Sequence, residues 1–289
     1  RYKTVKNFTS NKTALENIKP LIKKYNLRPK KSLGQNFLID KNIANKIAKI
    51  SGPLENNVII EIGAGTGGLT NALISNNAKH VIAVESDTRC IPILQQLYEN
   101  YPDKVTIIHA NALKQEMDSF AKGPYKIIGN LPYNISNKLL MKWIPPSKNV
   151  NGFTLTFQKE VADRITAKPG SRSYGRLSIV TQWCCETKIK MILPPEVFYP
   201  APKVNSAVVI FIPRKKPLAK ANFKTLEKIT KTAFGQRRKM LKSSLFKLGF
   251  TKQIINSAGI SESSRPEELR IEEFCILSEI FDKKLSKII

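Results

Sequence analysis

Histidines and paired cysteines are the residues this sequence is most short of. His80 and His109 are its only histidines, and Cys90, Cys184, Cys185 and Cys275 form no Cys-x-x-Cys pair. That leaves no ligand set with zinc spacing, so metal-free chemistry is expected. Four thiols without a framework read as reduced cysteines of a cytosol-like compartment, which predicts a cytoplasmic protein. No apolar run approaches bilayer-spanning length, so no membrane association is expected. Acids are scarce as well: 22 Asp and Glu stand against 48 Lys and Arg, a net charge of +26 with a pI near 10.0. In a folded chain this points to a polyanion, nucleic acid before an anionic membrane surface. Lysine-rich codon usage would inflate the charge without function, but the charge is segregated along the chain. The chain opens on Arg1 rather than methionine, as a chain trimmed at its N-terminus would.

What is present suits a core of some size. With 289 residues, 42% of them hydrophobic, the chain has room for one large domain and a smaller one. Residues 1–31 are a basic arm with Glu16 as the lone acid. The arm reads equally as a solvated tail or as a segment that touches phosphates. Gly34-Gln35-Asn36 follows, more polar than a simple lead-in to the helix that Asp40 would cap ahead of Ile43, Ile47 and Ile50. Val58–Ile62 then reads as a buried strand running into Gly63-Ala64-Gly65-Thr66-Gly67 and a helix carrying Leu69, Leu73 and Ile74. Glycines there let the backbone approach a ligand closely below a helix N-terminus. Dinucleotide folds use the related G-x-G-x-x-G, so Gly63-Ala64-Gly65 alone does not choose between cofactors. Glu61, on the strand before, would repel a pyrophosphate and suits an amine-bearing cofactor, favouring S-adenosylmethionine over NAD.

Three further strand ends carry polar residues. Residues 81–87 read as a strand ending at Glu85, placed to accept both ribose hydroxyls of an adenosine and equally to open the next helix. Residues 105–112 end in Asn111, suited to an adenine edge. Tyr125-Lys126-Ile127-Ile128, bounded by Gly123-Pro124 and Gly129, delivers Asn130-Leu131-Pro132-Tyr133 to the loop leaving a strand's carboxyl end. Open α/β sheets bind ligands there. An exocyclic amine on a nucleobase is a poor nucleophile, because its lone pair is delocalised into the ring. The Asn130 amide oxygen and a carbonyl of Leu131 or Pro132 would accept both N–H bonds and free that lone pair, while Tyr133 stacks on the base. Phe157, ending the strand over 153–157, either faces the base opposite Tyr133 or belongs to the core.

The last part of the chain turns basic and helical. The loop over 168–176, with Arg172 and Arg176, suits a phosphate backbone. Residues 213–220 read as a linker, and helical periodicity runs from there to the C-terminus. Between Arg214 and Lys252 the cations Arg237, Arg238, Lys239 and Lys242 face the lone acid Glu227. This is a helical domain with a basic face for RNA or DNA.

The motifs Gly34-Gln35-Asn36-Phe37-Leu38, Glu61-Ile62-Gly63-Ala64-Gly65-Thr66-Gly67, Asn130-Leu131-Pro132-Tyr133-Asn134-Ile135-Ser136, Gln158-Lys159-Glu160-Val161, Tyr174-Gly175-Arg176-Leu177-Ser178 and Phe234-Gly235-Gln236-Arg237-Arg238-Lys239 occur in this order. Together, from Lys30 to the C-terminus, they resemble the bacterial small-subunit rRNA adenine N6,N6-dimethyltransferases, the KsgA/RsmA type. The resemblance implies an α/β fold: a Rossmann-like class I methyltransferase domain over 32–213, with a seven-stranded, mostly parallel sheet, and a small α-helical RNA-binding domain over 221–289. It implies S-adenosylmethionine as cofactor, held by Asn36, Leu38, Gly63, Glu85, Asn111 and Asn130. Asn130, Leu131, Pro132 and Tyr133 would hold the target base, with Phe157, Arg176, Arg237, Arg238 and Lys239 on the RNA. The substrate implied is 16S rRNA in the immature 30S subunit, dimethylated at N6 of two adjacent adenines near its 3′ end by a monomer without a metal. One departure stands out: Asn111 occupies a position where the family usually has Asp. Its carbonyl still accepts a bond from an adenine amine, but without charge, which predicts a weaker cofactor grip rather than inactivity.

Two other classes stay open at this level. One is an RNA-binding assembly factor of the small subunit, for which methylation is secondary. The other is an adenine methyltransferase of large-subunit rRNA (the Erm type) or of DNA. The intact cofactor constellation speaks against a purely structural role. Tyr174-Gly175-Arg176 and Gln236-Arg237-Arg238-Lys239 favour the small subunit.

Overall fold

The computed structural model describes Ile22, Lys24, Tyr25 and residues 27–29, 34–99, 101–235 and 239–286. Most of the basic arm of residues 1–31, together with Arg237 and Arg238, lies outside the described residues. The chain divides into two compact units. The first comprises Arg1–Trp143, Ser147–Lys159 and Lys190–Ile210, the second Ile144–Pro146, Glu160–Ile189 and Phe211–Ile289. Packing therefore groups residues differently from a cut along the sequence: 160–189 associate with the C-terminal helices although they precede the last strand.

The sheet has seven strands: β2 (Val58–Ile62), β3 (His80–Glu85), β4 (Val105–His109), β5 (Tyr125–Asn130), β6 (Val150–Gln158), β7 (Cys185–Leu193) and β9 (Ser206–Pro213). A separate antiparallel pair joins β1 (Phe37–Leu38) to β8 (Phe198–Tyr199), with Phe37 opposite Tyr199. The strand order is β4-β3-β2-β5-β6-β9-β7, and each pairing from β4 to β6 is parallel. Parallel strands need cover on both faces, which is why Ile59, Ile60 and Ile62 of β2 and the whole run Val81–Val84 of β3 are apolar and buried. From β2 the chain winds outward through β3 and β4, then returns to lay β5 and β6 on the other side. The crevice of such a sheet opens where the order reverses, here between β2 and β5.

Helices of the first unit are α1 (Lys41–Ile50), α2 (Gly68–Ser75), α3 (Ile91–Tyr98) and α4 (Ser136–Trp143). Asp40 caps α1, its Oδ1 accepting from the Ile43 amide at 2.9 Å, and the helix buries Ala44, Ile47 and Ala48 at helical spacing. α4 buries Leu139, Leu140 and Trp143 by the same logic. The helices of the second unit are α5 (Lys159–Thr166, from Glu160 onward), α6 (Arg176–Cys184), α7 (Phe223–Phe234), α8 (Leu241–Leu245), α9 (Lys252–Ser257) and α10 (Ile271–Leu285). Asn222 caps α7, which packs against α6, α8 and α10. Trp183 of α6 stacks on Phe223 at 6.1 Å, and its indole N–H donates to the Ala219 carbonyl at 2.8 Å, so the stretch before α7 is pinned rather than a free linker. All four cysteines are buried free thiols. No helix among the described residues is long and apolar enough to cross a membrane.

Candidate active site

A cavity of about 220 Å³ lies at the carboxyl ends of β2, β3, β4 and β5. Glu61 and Gly63 come from the first strand end, Glu85 from the second, Asn111 from the third and Asn130, Leu131 and Pro132 from the fourth. Gln35, Asn36 and Leu38 line it from the segment ahead of α1. The structure thus brings all the expected cofactor residues to one cavity. Gly65 shows why glycine is needed: its φ is +56°, and a Cβ there would meet the Phe37 ring at 3.0 Å.

Two buried polar atoms of cavity-lining residues have no hydrogen-bond partner among the described residues: Glu61 Oε1 and Asn130 Oδ1. Buried polar atoms are mostly matched in native interiors, so unmatched acceptors on cavity-lining residues mark where an incoming donor can bond. Asn130 donates its Nδ2 to the Asn36 carbonyl at 2.7 Å, which fixes the amide with its oxygen left over. Glu61 Oε2 accepts from the Thr70 hydroxyl at 2.6 Å. Burial pushes the Glu61 carboxyl up to about 8; the Thr70 hydrogen bond opposes this and the nearby Glu85 adds to it. At neutral pH this favours the protonated form.

Glu85 is clasped by backbone. Its Oε2 accepts from Gly65 N at 2.7 Å, and its Oε1 from Ser86 N and Asp87 N, each at 2.7 Å. Burial raises its pKa, and these amides pull the other way. Of roughly four lone-pair sites on a carboxylate, three are already used. Asn111, an exposed residue lining the cavity, uses its Oδ1 to accept from Leu113 N at 3.0 Å and so caps a short turn; the carbonyl expected to meet an adenine amine is already engaged by backbone.

Sequence reasoning missed a neighbouring lock. Arg89 grips Asp87 with Nε at 3.0 Å and Nη2 at 2.6 Å, Gln35 Nε2 adds a bond at 2.8 Å, and Arg89 Nη1 reaches the Arg28 carbonyl at 2.9 Å. Burial would raise the Asp87 carboxyl, but its bonds to Arg89 and Gln35 outweigh this and hold it near about 2. The lock ties the cavity-lining segment around Gln35 to the end of β3. The only trace in the sequence was the surplus of polar groups in Gly34-Gln35-Asn36.

Tyr133 sits between cavity-lining residues but is itself half-buried, with its hydroxyl bonded to the Ser206 hydroxyl of β9. Nothing in the sequence pairs these residues. Phe157 is fully buried on β6 and is not among the cavity's lining residues. Arg176 forms an ion pair with Glu227 within the helical unit. Lys239 is exposed there, while Arg237 and Arg238 lie outside the described residues. No cluster of metal-ligating side chains occurs among the described residues.

The family model for ribosomal RNA adenine dimethylase matches residues 26–283. The chain belongs to this family. As a ribosomal RNA adenine dimethylase it is 44% identical over 267 residues to ribosomal RNA small subunit methyltransferase A of Paramagnetospirillum magneticum, covering 92% of this chain and 95% of that one. A solved dimethyladenosine transferase from Plasmodium falciparum superposes with a TM-score of 0.75 at 27% identity, covering 86% of this chain and 98% of its own. The 23S rRNA methyltransferase ErmE superposes at 0.67 with 24% identity, covering 86% and 100%, which shows a shared fold. The Rossmann-like class I methyltransferase architecture expected from the motifs is the architecture found.

Proposed function

We propose that this protein dimethylates N6 of two adjacent adenines near the 3′ end of 16S rRNA, acting on the immature 30S subunit as a cytoplasmic monomer without a metal. The observation that carries the reading is the buried, unmatched Asn130 Oδ1 at the end of β5. An amide oxygen held there by the Nδ2–Asn36 bond is an acceptor waiting for an N–H donor. S-adenosylmethionine, when bound, supplies an electrophilic methyl on its sulfonium. Gly63, with its neighbouring glycine turn, would give it close backbone approach; Glu85, with acceptor capacity left, would take a ribose hydroxyl, Asn111 would meet the adenine, and Asn36 and Leu38 would complete the wall. Asn130 Oδ1 and a carbonyl of Leu131 or Pro132 accept the target amine's N–H bonds, and Tyr133 supports the base. Catalysis is then chiefly proximity and orientation, with the amine proton leaving to solvent after attack. The adenine must leave its stack, which a loop or single strand makes less costly. Phosphate contacts fall to Arg237, Arg238 and Lys239; Arg176 reaches RNA only by exchanging Glu227. The relatives' small-subunit naming favours this over an Erm-type substrate.

The Glu61 proton gives a pH signature. Below about pH 8 the free protein carries it. The cofactor's cationic amine favours the carboxylate, so binding in that range releases a proton. Cofactor affinity should rise by up to about tenfold per pH unit as the pH approaches about 8, and fall above it as the cofactor's own α-amino group, ordinarily titrating at about 7.7–8.0, loses its charge. Calorimetric titration across that range reads it out, with Glu61→Gln losing the rise below pH 8. A flat wild-type profile would remove Glu61 from cofactor binding.

The Tyr133–Ser206 bond gives a second test. Tyr133→Phe and Ser206→Ala each remove it and should each lower single-turnover rate by about 2- to 12-fold. The double variant should be no slower than the worse single one, since both act through one bond. Strictly multiplicative losses would show that Ser206 does not act by holding the ring.

The direct experiment offers labelled S-adenosylmethionine with undermethylated 30S particles, 50S particles and duplex DNA as alternatives. Label recovered from 30S as N6,N6-dimethyladenosine is expected. Label confined to 50S or DNA would overturn the substrate, and tight 30S binding without transfer would make assembly the primary role.

A further inference from the structure

Phe246 breaks the burial pattern of the helical unit. α8 buries Leu241 and Leu245 completely, and Phe250 beyond it is buried too. Phe246, directly after Leu245, is 72% exposed, more than any other large apolar residue among those described. Folding gains nothing from an aromatic ring left in water at a position where a polar side chain would carry no such cost. Met240, six residues earlier, is also 41% exposed.

Phe246 lines an open hollow of about 520 Å³ with Lys242, Ser243, Phe250, Thr251 and Lys252. The aromatic side of the hollow is firmly built: Phe250 stacks on Phe281 with centroids 6.1 Å apart and planes 10° from parallel. The Lys284 ammonium donates to the Gly249 carbonyl beside it at 2.8 Å. On the polar side, Lys242 and Lys252 lie 3.5 and 3.4 Å from the same Glu262 carboxylate. One carboxylate shared between two ammonium groups leaves positive charge over, and the exposed Lys247 follows Phe246 directly in the chain. A purely apolar partner would need only the ring. A flat apolar face with a cationic rim fits an aromatic ring that travels with negative charge.

We propose that Phe246 is a stacking step for an unpaired nucleobase of the rRNA, with Lys242 and Lys252 taking the flanking phosphates. This rests on the RNA reading above and adds a contact none of the sequence motifs contains. Duplex RNA shows no free base face, so the occupant is a loop, bulge or single strand.

The test compares binding to an RNA hairpin with a single-stranded 3′ extension and to the same stem fully paired. Phe246→Ala should weaken binding to the extended hairpin about 5- to 150-fold and leave the paired stem unchanged. Phe246→Trp should keep the affinity, and its indole fluorescence should be quenched on RNA addition; Trp143 and Trp183 are buried and give the wild-type background. If wild-type protein methylates 30S particles and Phe246→Ala binds the extended hairpin equally well, the stacking step is wrong while the function stands. If wild-type protein binds neither RNA nor 30S particles, the function itself fails. Unchanged RNA affinity together with an altered oligomeric state in Phe246→Ala would reassign the hollow to a protein contact.

Discussion

Asn130→Ala should lower the single-turnover rate by about 10²–10³-fold, the scale seen when one preorganised polar contact to a reacting group is removed. RNA affinity should stay nearly constant, because the phosphate-contacting cations are untouched and Asn130 presents a single acceptor to one amine. Cofactor affinity should move by about tenfold at most, since Asn130 borders that cavity with one bond to offer. Asn130→Asp sharpens the test. It keeps an acceptor oxygen but replaces the Nδ2–H that holds the Asn36 carbonyl with a second oxygen. Two acceptors would then face each other and the side chain would swing away, so the rate should not recover. Rapid-mix methyl transfer to 30S particles, alongside filter binding, separates the two quantities. Equal losses in rate and RNA affinity would mean that Asn130 shapes the binding surface rather than the amine.

Gly129→Ala should be nearly as damaging from a position that touches no ligand. A Cβ at Gly129 would lie 2.7 Å from the Ile62 carbonyl oxygen and 3.2 Å from Leu131 Cδ2. The first neighbour is backbone at the end of β2, paired in parallel with β5, so relief requires the two strands to shift apart. Overpacking of this kind costs about 1–3 kcal/mol, which should lower Tm by about 2–12 °C. The displaced end of β5 carries Asn130, and a misplacement of about 1 Å costs about 10²-fold in rate. Scanning calorimetry and the same rapid-mix assay read both effects. A Gly129→Ala protein with unchanged Tm and rate would show that the two strands have slack there.

Much of the fold was legible because parallel strands covered on both faces are written as short, nearly continuous apolar runs. Those over 58–62, 81–85 and 125–128 could be located from composition, and the polar residues ending them marked the ligand side of the sheet. The same coverage hid the fate of Phe157, since a strand buried on both faces does not announce which side faces a pocket. The basic loop ending at Arg176 had the charge of a phosphate grip, but folding pairs that arginine with Glu227, 51 residues later in the chain.

By itself, then, the sequence determined the order of the elements, the residues gathered at the strand ends, the excess of positive charge and the family. All of these are local patterns or sums. The tertiary structure decided which way the Asn130 amide points, that burial raises the Glu61 pKa, that Gln35, Asp87 and Arg89 lock together, that Ser206 holds Tyr133, and that residues 160–189 join the C-terminal helices. Each depends on atoms from distant parts of the chain meeting where water is excluded. There, a single hydrogen bond or an unmatched oxygen carries an energy that no local pattern records.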